Sequence, residues 1–147
     1  MKALLSMLFL NYFLLLNPTP VDPPSGAPLS GKWVVSHHFG TVMPTSDEDQ
    51  ILHAIDFDVN YGTQVIATAA GVVTELGEDE DHYYIVLNHN GDFQTIYGQL
   101  SKIKVNEGQQ IEKGDVIALT GGIAKSGLRY GIKHHGKYID PALHLSR

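Results

Sequence analysis

Beyond Lys32 no stretch of a dozen residues carries apolar side chains at helical spacing. Short runs of alternating or β-branched residues stand there instead, cut off by glycines and turn-forming pairs. Such runs are strands, because successive side chains of an extended chain point to opposite faces. A chain limited to them has no helix face to bury and must satisfy its backbone by strand pairing. Many short strands at close spacing give an all-β fold, a small antiparallel sandwich or barrel-like domain. Strands are expected at 33–39, 54–59, 64–68, 71–76, 83–88, 93–99, 116–120, 129–133 and 137–139. Tyr61-Gly62 and His135-Gly136 read as turns, and Asn90-Gly91 as a tight hairpin turn with positive φ at both residues. A loop is expected through Pro44 and Asp47-Glu48-Asp49. That acidic stretch and 78–81 lack the spaced oxygens and glycine of a calcium loop, so both read as solvated tips.

The N-terminus has a different character. Met1-Lys2 leads an apolar run over 3–16 that is interrupted only by Ser6 and Asn11. A membrane-spanning helix takes about 20 apolar residues, so 1–16 fits a signal peptide or an anchor helix. Either implies export to a periplasmic, cell-surface or secreted location. No small-x-small triplet precedes Asn17, which leaves cleaved signal and retained anchor both open. Residues 17–31 hold five prolines with Ser25 and Gly26, the composition of an extended Pro-rich linker. The folded unit is then expected at 32–147.

Charge and cysteine content exclude several functions. The net charge is -6 with no basic run, which leaves nothing to neutralise nucleic-acid phosphates. It equally disfavours docking on anionic lipid, so membrane contact is expected only through an uncleaved N-terminal segment. The chain has no cysteine, which removes disulfides, thiolate metal sites, a cysteine nucleophile and a lipidated N-terminal cysteine. Two glycine turns feeding branched strands, 62–67 and 108–118, echo one another weakly and resemble the half-motifs of biotinyl or lipoyl carriers. A carrier needs a lysine at the intervening hairpin tip, and 77–82 has none.

The ordered set of segments resembles the lysostaphin/LytM-type zinc peptidases, metallopeptidase family 23, which cut cross-links and stem peptides of bacterial peptidoglycan. Ser36-His37-His38-Phe39-Gly40 is similar to that family's opening strand. Ile55-Asp56-Phe57-Asp58, with Gly62-Thr63-Gln64-Val65-Ile66-Ala67 after it, matches its most recognisable stretch. Val86-Leu87-Asn88-His89-Asn90-Gly91 and Thr95-Ile96-Tyr97-Gly98-Gln99-Leu100 match its next hairpin, 105–121 its glycine-turn region, and Gly136-Lys137-Tyr138-Ile139-Asp140-Pro141 its closing hairpin. The resemblance spans about 31–145 and implies the LytM, or duplicated hybrid motif, type of β domain.

That family takes its zinc ligands from a His four residues before an Asp, from the Asp, and from the second His of a His-x-His. Asp56 stands at the Asp position, but Leu52 stands where the first His belongs. His53 is one residue out of place, and on a strand residues three apart face opposite ways. The catalytic-His position of Tyr-x-His-Leu holds Gln99. The His-x-His pair reads Gly127 and Arg129, followed by Tyr130 and by Gly131 at a carboxylate position. A guanidinium has no lone pair for a metal and instead suits a carboxylate, so Arg129 is expected to pair with Asp56. His89 matches a family His outside the ligand set, and His134-His135 falls in a hairpin turn.

The resemblance so corrected implies a pseudo-metallopeptidase with no catalytic residue and no cofactor, its residual metal candidates being His53 and Asp56. The implied function is a scaffold or regulator of cell-wall hydrolysis. A groove around Asp56, Gln99, Arg129 and Tyr130 would bind a peptidoglycan peptide or another cell-wall protein. The alternative is an active zinc endopeptidase of peptidoglycan with an unconventional site using His53 and Asp56.

Overall fold

A computed structural model of the chain describes residues 21–122 and 127–145. The apolar run at 1–16 and the start of the Pro-rich stretch at 17–20 lie outside the described residues. Twelve strands follow in order: β1 (Val34–His37), β2 (Val42–Met43), β3 (Gln50–Ile51), β4 (Ile55–Asp58), β5 (Gln64–Ile66), β6 (Gly71–Asp79), β7 (His82–Asn88), β8 (Phe93–Ile103), β9 (Gln110–Ile111), β10 (Val116–Thr120), β11 (Leu128–His134) and β12 (Lys137–Ile139). One turn of 3-10 helix, Pro141–His144, follows; Asp140 caps it by accepting the Ala142 N–H at 2.9 Å. The fold is therefore all-β, as the glycine-cut runs predict.

Ten strands share one antiparallel sheet in the order β1-β4-β11-β8-β7-β6-β9. β12 pairs with β11, and β10 joins β5 to the far end of β8. On the inner face the cross-strand row Ile55–Tyr130–Tyr97–Ile85 runs through four strands, and all four side chains are buried. The Tyr130 and Tyr97 phenols converge on Thr68 Oγ1, at 2.8 and 3.3 Å. This shared partner satisfies two hydroxyls that would otherwise be costly to bury and fixes the register of β8 against β11. Because strand faces alternate, it also fixes which residues point outward: Asp56, Gly98, Arg129 and Gly131.

Three expectations are corrected here. The linker at 17–31 is, from residue 21 on, part of the folded unit. Ile66 N–H donates to the Pro28 carbonyl at 2.9 Å, Ser25 N–H to Thr68 and Ser30 N–H to Gln64. Leu29 bridges to Val65 and sits in the core. Prolines hold the segment extended without needing donors of their own, which suits an edge-strand strap as well as a linker. Second, positive φ in the β7–β8 turn falls on Gly91 and Asp92, one residue later than expected. His89 N–H donates to the Phe93 carbonyl across a longer loop. Third, the loop beyond Gly40 contains a separate two-stranded sheet, β2–β3, with the 47–49 acids at its tip.

Candidate functional site

The outward residues form a row across four neighbouring strands. His37 on β1 lies opposite Asp56 on β4, Asp56 opposite Arg129 on β11, and Arg129 opposite Gly98 on β8. Arg129 donates from Nε to Asp56 Oδ1 at 2.8 Å and from Nη2 to Oδ2 at 2.9 Å. This fork is the geometry a guanidinium and a carboxylate prefer, and each such charge-assisted bond is about twice as strong as a neutral one. Asp56 is 1% exposed, whereas the Arg129 side chain is 41% exposed. The carboxylate is thus sealed under its partner. The hydrogen bond to Asp56 holds the Arg129 proton more firmly than in a free guanidinium, against the opposing effect of partial burial.

His37 is a participant the sequence reading missed. Its Nδ1 lies 3.4 Å from Asp56 Oδ2 and is enclosed without a hydrogen-bond partner among the described residues. Strict alternation would put His37 on the inner face with Trp33 and Val35. A bulge between Val35 and His37 shifts the register and turns it outward. A second bulge lies in β8, whose inward residues step from Tyr97 to Leu100. The extra residue, Gln99, adopts φ 62, and its Oε1 is enclosed with no partner among the described residues. A non-glycine residue held there costs on the order of 1 kcal/mol, and such strain collects at functional sites.

The row opens into a groove of about 600 Å³. Gly98, Gly131, Gln99 and Arg129 form its floor. One wall carries His53, Tyr138 and the β2–β3 sheet; the other carries Tyr83, Tyr84 and the β6–β7 tip with Asp79 and Glu80. The remaining sequence candidates fall as follows. His53 is exposed and stacks on Tyr138 with ring centroids 5.4 Å apart. Tyr130, expected in the groove, faces the core instead, because it alternates with Arg129 on β11. Asp56 lies beneath the groove and acts on it through Arg129. Gly127 is packed so closely that a Cβ there would meet the Val59 carbonyl oxygen at 2.7 Å, so no side chain fits without backbone movement.

A catalytic zinc site needs three protein donors and an open position. Here both Asp56 oxygens are taken by the guanidinium, Leu52 is an aliphatic residue of the interior, and His53 is engaged on the groove wall. Among the described residues no group of three His, Asp or Glu side chains is placed to hold a metal ion. The residues present do not fit zinc.

Fold and row together define a metallopeptidase-type β domain in which an arginine stands at a metal-ligand position. Residues 50–141 match the model of peptidase family M23, and the chain belongs to that family. An uncharacterized metalloprotease of Haemophilus influenzae is 37% identical over 92 residues, which are 59% of this chain and 19% of that protein. The murein hydrolase activator NlpD of Escherichia coli is 32% identical over 95 residues, 62% of this chain and 25% of its own length. A chain of the SpoIIQ–SpoIIIAH pore forming complex shares the fold, with a TM-score of 0.76 at 17% identity over 84% of this chain and 92% of that one. The chain spans well under two thirds of the length of these curated relatives.

Proposed function

We propose that this M23 domain is a catalytically inactive module of the bacterial cell envelope, which binds peptidoglycan or a cell-wall protein and regulates cell-wall hydrolysis. The observation that carries the reading is the Arg129–Asp56 fork: the one surviving ligand-type carboxylate is neutralised by a fixed cation. A guanidinium can hold a carbonyl or carboxylate by hydrogen bonds, but it cannot generate a hydroxide nucleophile from bound water. Gln99 likewise can donate a hydrogen bond but cannot relay a proton. What remains on the groove floor is a pair of recognition groups, Arg129 and Gln99, neither of which relays a proton. Similarity to a murein hydrolase activator supports a regulatory role over a purely structural one.

The test uses purified protein in three assays: metal content, release of dye from labelled peptidoglycan, and co-sedimentation with insoluble peptidoglycan. The expected result is sedimentation without hydrolysis. Stoichiometric zinc that is lost in Asp56→Ala, together with dye release, would overturn the reading and favour the endopeptidase built on His53 and Asp56. If neither binding nor hydrolysis is seen, stimulation of a cell-wall hydrolase by the protein separates a protein-binding regulator from an inert domain.

A further inference from the structure

The Arg129 fork leaves part of the guanidinium unused. Five N–H groups are available on this side chain, and Asp56 takes one from Nε and one from Nη2. The other three have no partner among the described residues and belong to a side chain that lines the groove floor. The pair Nη1 and Nη2 presents a second, end-on face that can take another carboxylate. No acidic side chain stands beside it on the floor, since the neighbouring positions are Gly98 and Gly131. A Cβ at Gly131 would meet nothing closer than 3.6 Å, so that glycine leaves the floor open without being forced by crowding. The acids that line the groove, Asp79 and Glu80, are on the β6–β7 tip, and Asp79 is near enough to act on the Arg129 charge from there. The groove is therefore bipolar, with a cation at the floor and two anions at one rim.

We infer that the groove takes a peptide end, with its free α-carboxylate on the outer face of Arg129 and a basic side chain toward Asp79 and Glu80. This deepens the peptidoglycan-binding reading and rests on it, because stem peptides offer such ends. It also sets a direction. The ligand enters with its carboxyl terminus down and is held at that end, where a peptidase would hold the middle of a chain. The tyrosines of the β6–β7 wall, Tyr83 and Tyr84, then flank the segment between the two charges.

The experiment is calorimetric titration of the full chain with the stem pentapeptide L-Ala-γ-D-Glu-L-Lys-D-Ala-D-Ala. The comparison ligands are its C-terminal amide and its Nε-acetyl-lysine form. Loss of a charge-assisted pair weakens binding by about tenfold or more, so both altered peptides are expected to bind at least about tenfold more weakly than the parent. An Asp79→Asn/Glu80→Gln variant should lose the preference for free lysine while still preferring the acid to the amide, since removing the Asp79 charge that acts on Arg129 takes away an anion competing with the ligand carboxylate. Equal affinity for acid and amide overturns the carboxylate assignment while leaving peptidoglycan binding in place. Equal affinity for lysine and acetyl-lysine overturns the rim assignment. Binding of none of the three, with co-sedimentation also absent, overturns this inference and the peptidoglycan reading together.

Discussion

Arg129 and Asp56 are coupled by more than contact. The carboxylate is sealed and the guanidinium half-open, so the two ends of the pair face different dielectric surroundings. Removing the partner of a fully dry charge costs about 3–5 kcal/mol. An exposed pair contributes under about 1 kcal/mol. With the Arg129 side chain 41% exposed, solvent screens one side of the fork. Arg129→Ala should therefore destabilise by about 2 kcal/mol, between those limits, as read from urea unfolding. The double variant Arg129→Ala/Asp56→Ala should be more stable than Arg129→Ala alone, because it removes the stranded charge. A loss within about 0.5 kcal/mol for the single change would show that the pair is fully screened. Part of this was legible in the sequence: a strand arginine at a ligand position and an aspartate at its family place are residue-type facts. The role of His37 was not, because it depends on a bulge in β1 and on register with β4, and neither has a local sequence signal.

Elements matter here mainly through their irregularities. The bulge in β1 sets His37 opposite Asp56 and the bulge in β8 inserts Gln99 next to Gly98, the residue opposite Arg129, while the regular strands between them carry Asp56 and Arg129. The strap at 21–30 runs along β5, with Leu29 in the core beside Val65. Leu29→Ala should cost about 2–3 kcal/mol, as expected when a buried leucine leaves a partly relaxed cavity. A chain beginning at residue 32 should unfold at lower urea than one beginning at 21; equal midpoints would return the strap to the status of a linker. The β7–β8 turn is pinned by His89. Its Nδ1 lies 2.7 Å from the Ala70 carbonyl oxygen and so carries the proton, leaving Nε2 to accept from Thr95 Oγ1 at 2.7 Å. Gly71 makes this possible, since a Cβ there would sit 2.7 Å from Nδ1. Burial holds the His89 pKa below the ordinary histidine range, outweighing the carbonyl hydrogen bond. The unfolded chain then binds the proton more readily than the folded one. Stability from this group is complete above about pH 6.5 and is lost as pH falls through that value toward the lower folded pKa. Urea midpoints at pH 7 and pH 5 should differ more for the native chain than for His89→Gln, and parallel values would remove His89 from this dependence.

For the whole molecule, fold and site were legible to different degrees for a physical reason. Fold class follows from period-two runs and turn residues, which act locally and survive many substitutions. The linker was misread because prolines suit an extended strap as well as a free tether, and only the packing of Leu29 separates the two. The groove depends on which face each residue takes, so Tyr130 was misplaced by one position of alternation. A scaffold specified so redundantly should keep its shape when the site changes, and that has a direct test. Arg129→His removes the cation and sets an imidazole beside Asp56, with His37 already 3.4 Å from the carboxylate. Three donors would then meet on one rung, the minimum for a zinc site. Zinc at about 100 times its dissociation constant should raise the stability of Arg129→His by ~2.7 kcal/mol, read as a higher unfolding midpoint. The native chain should show no comparable shift, because its guanidinium holds both oxygens. A similar zinc shift in both would mean that Arg129 yields to the metal. No shift in either would mean that the three side chains cannot converge, and that the sheet lost its capacity for zinc along with the ligands.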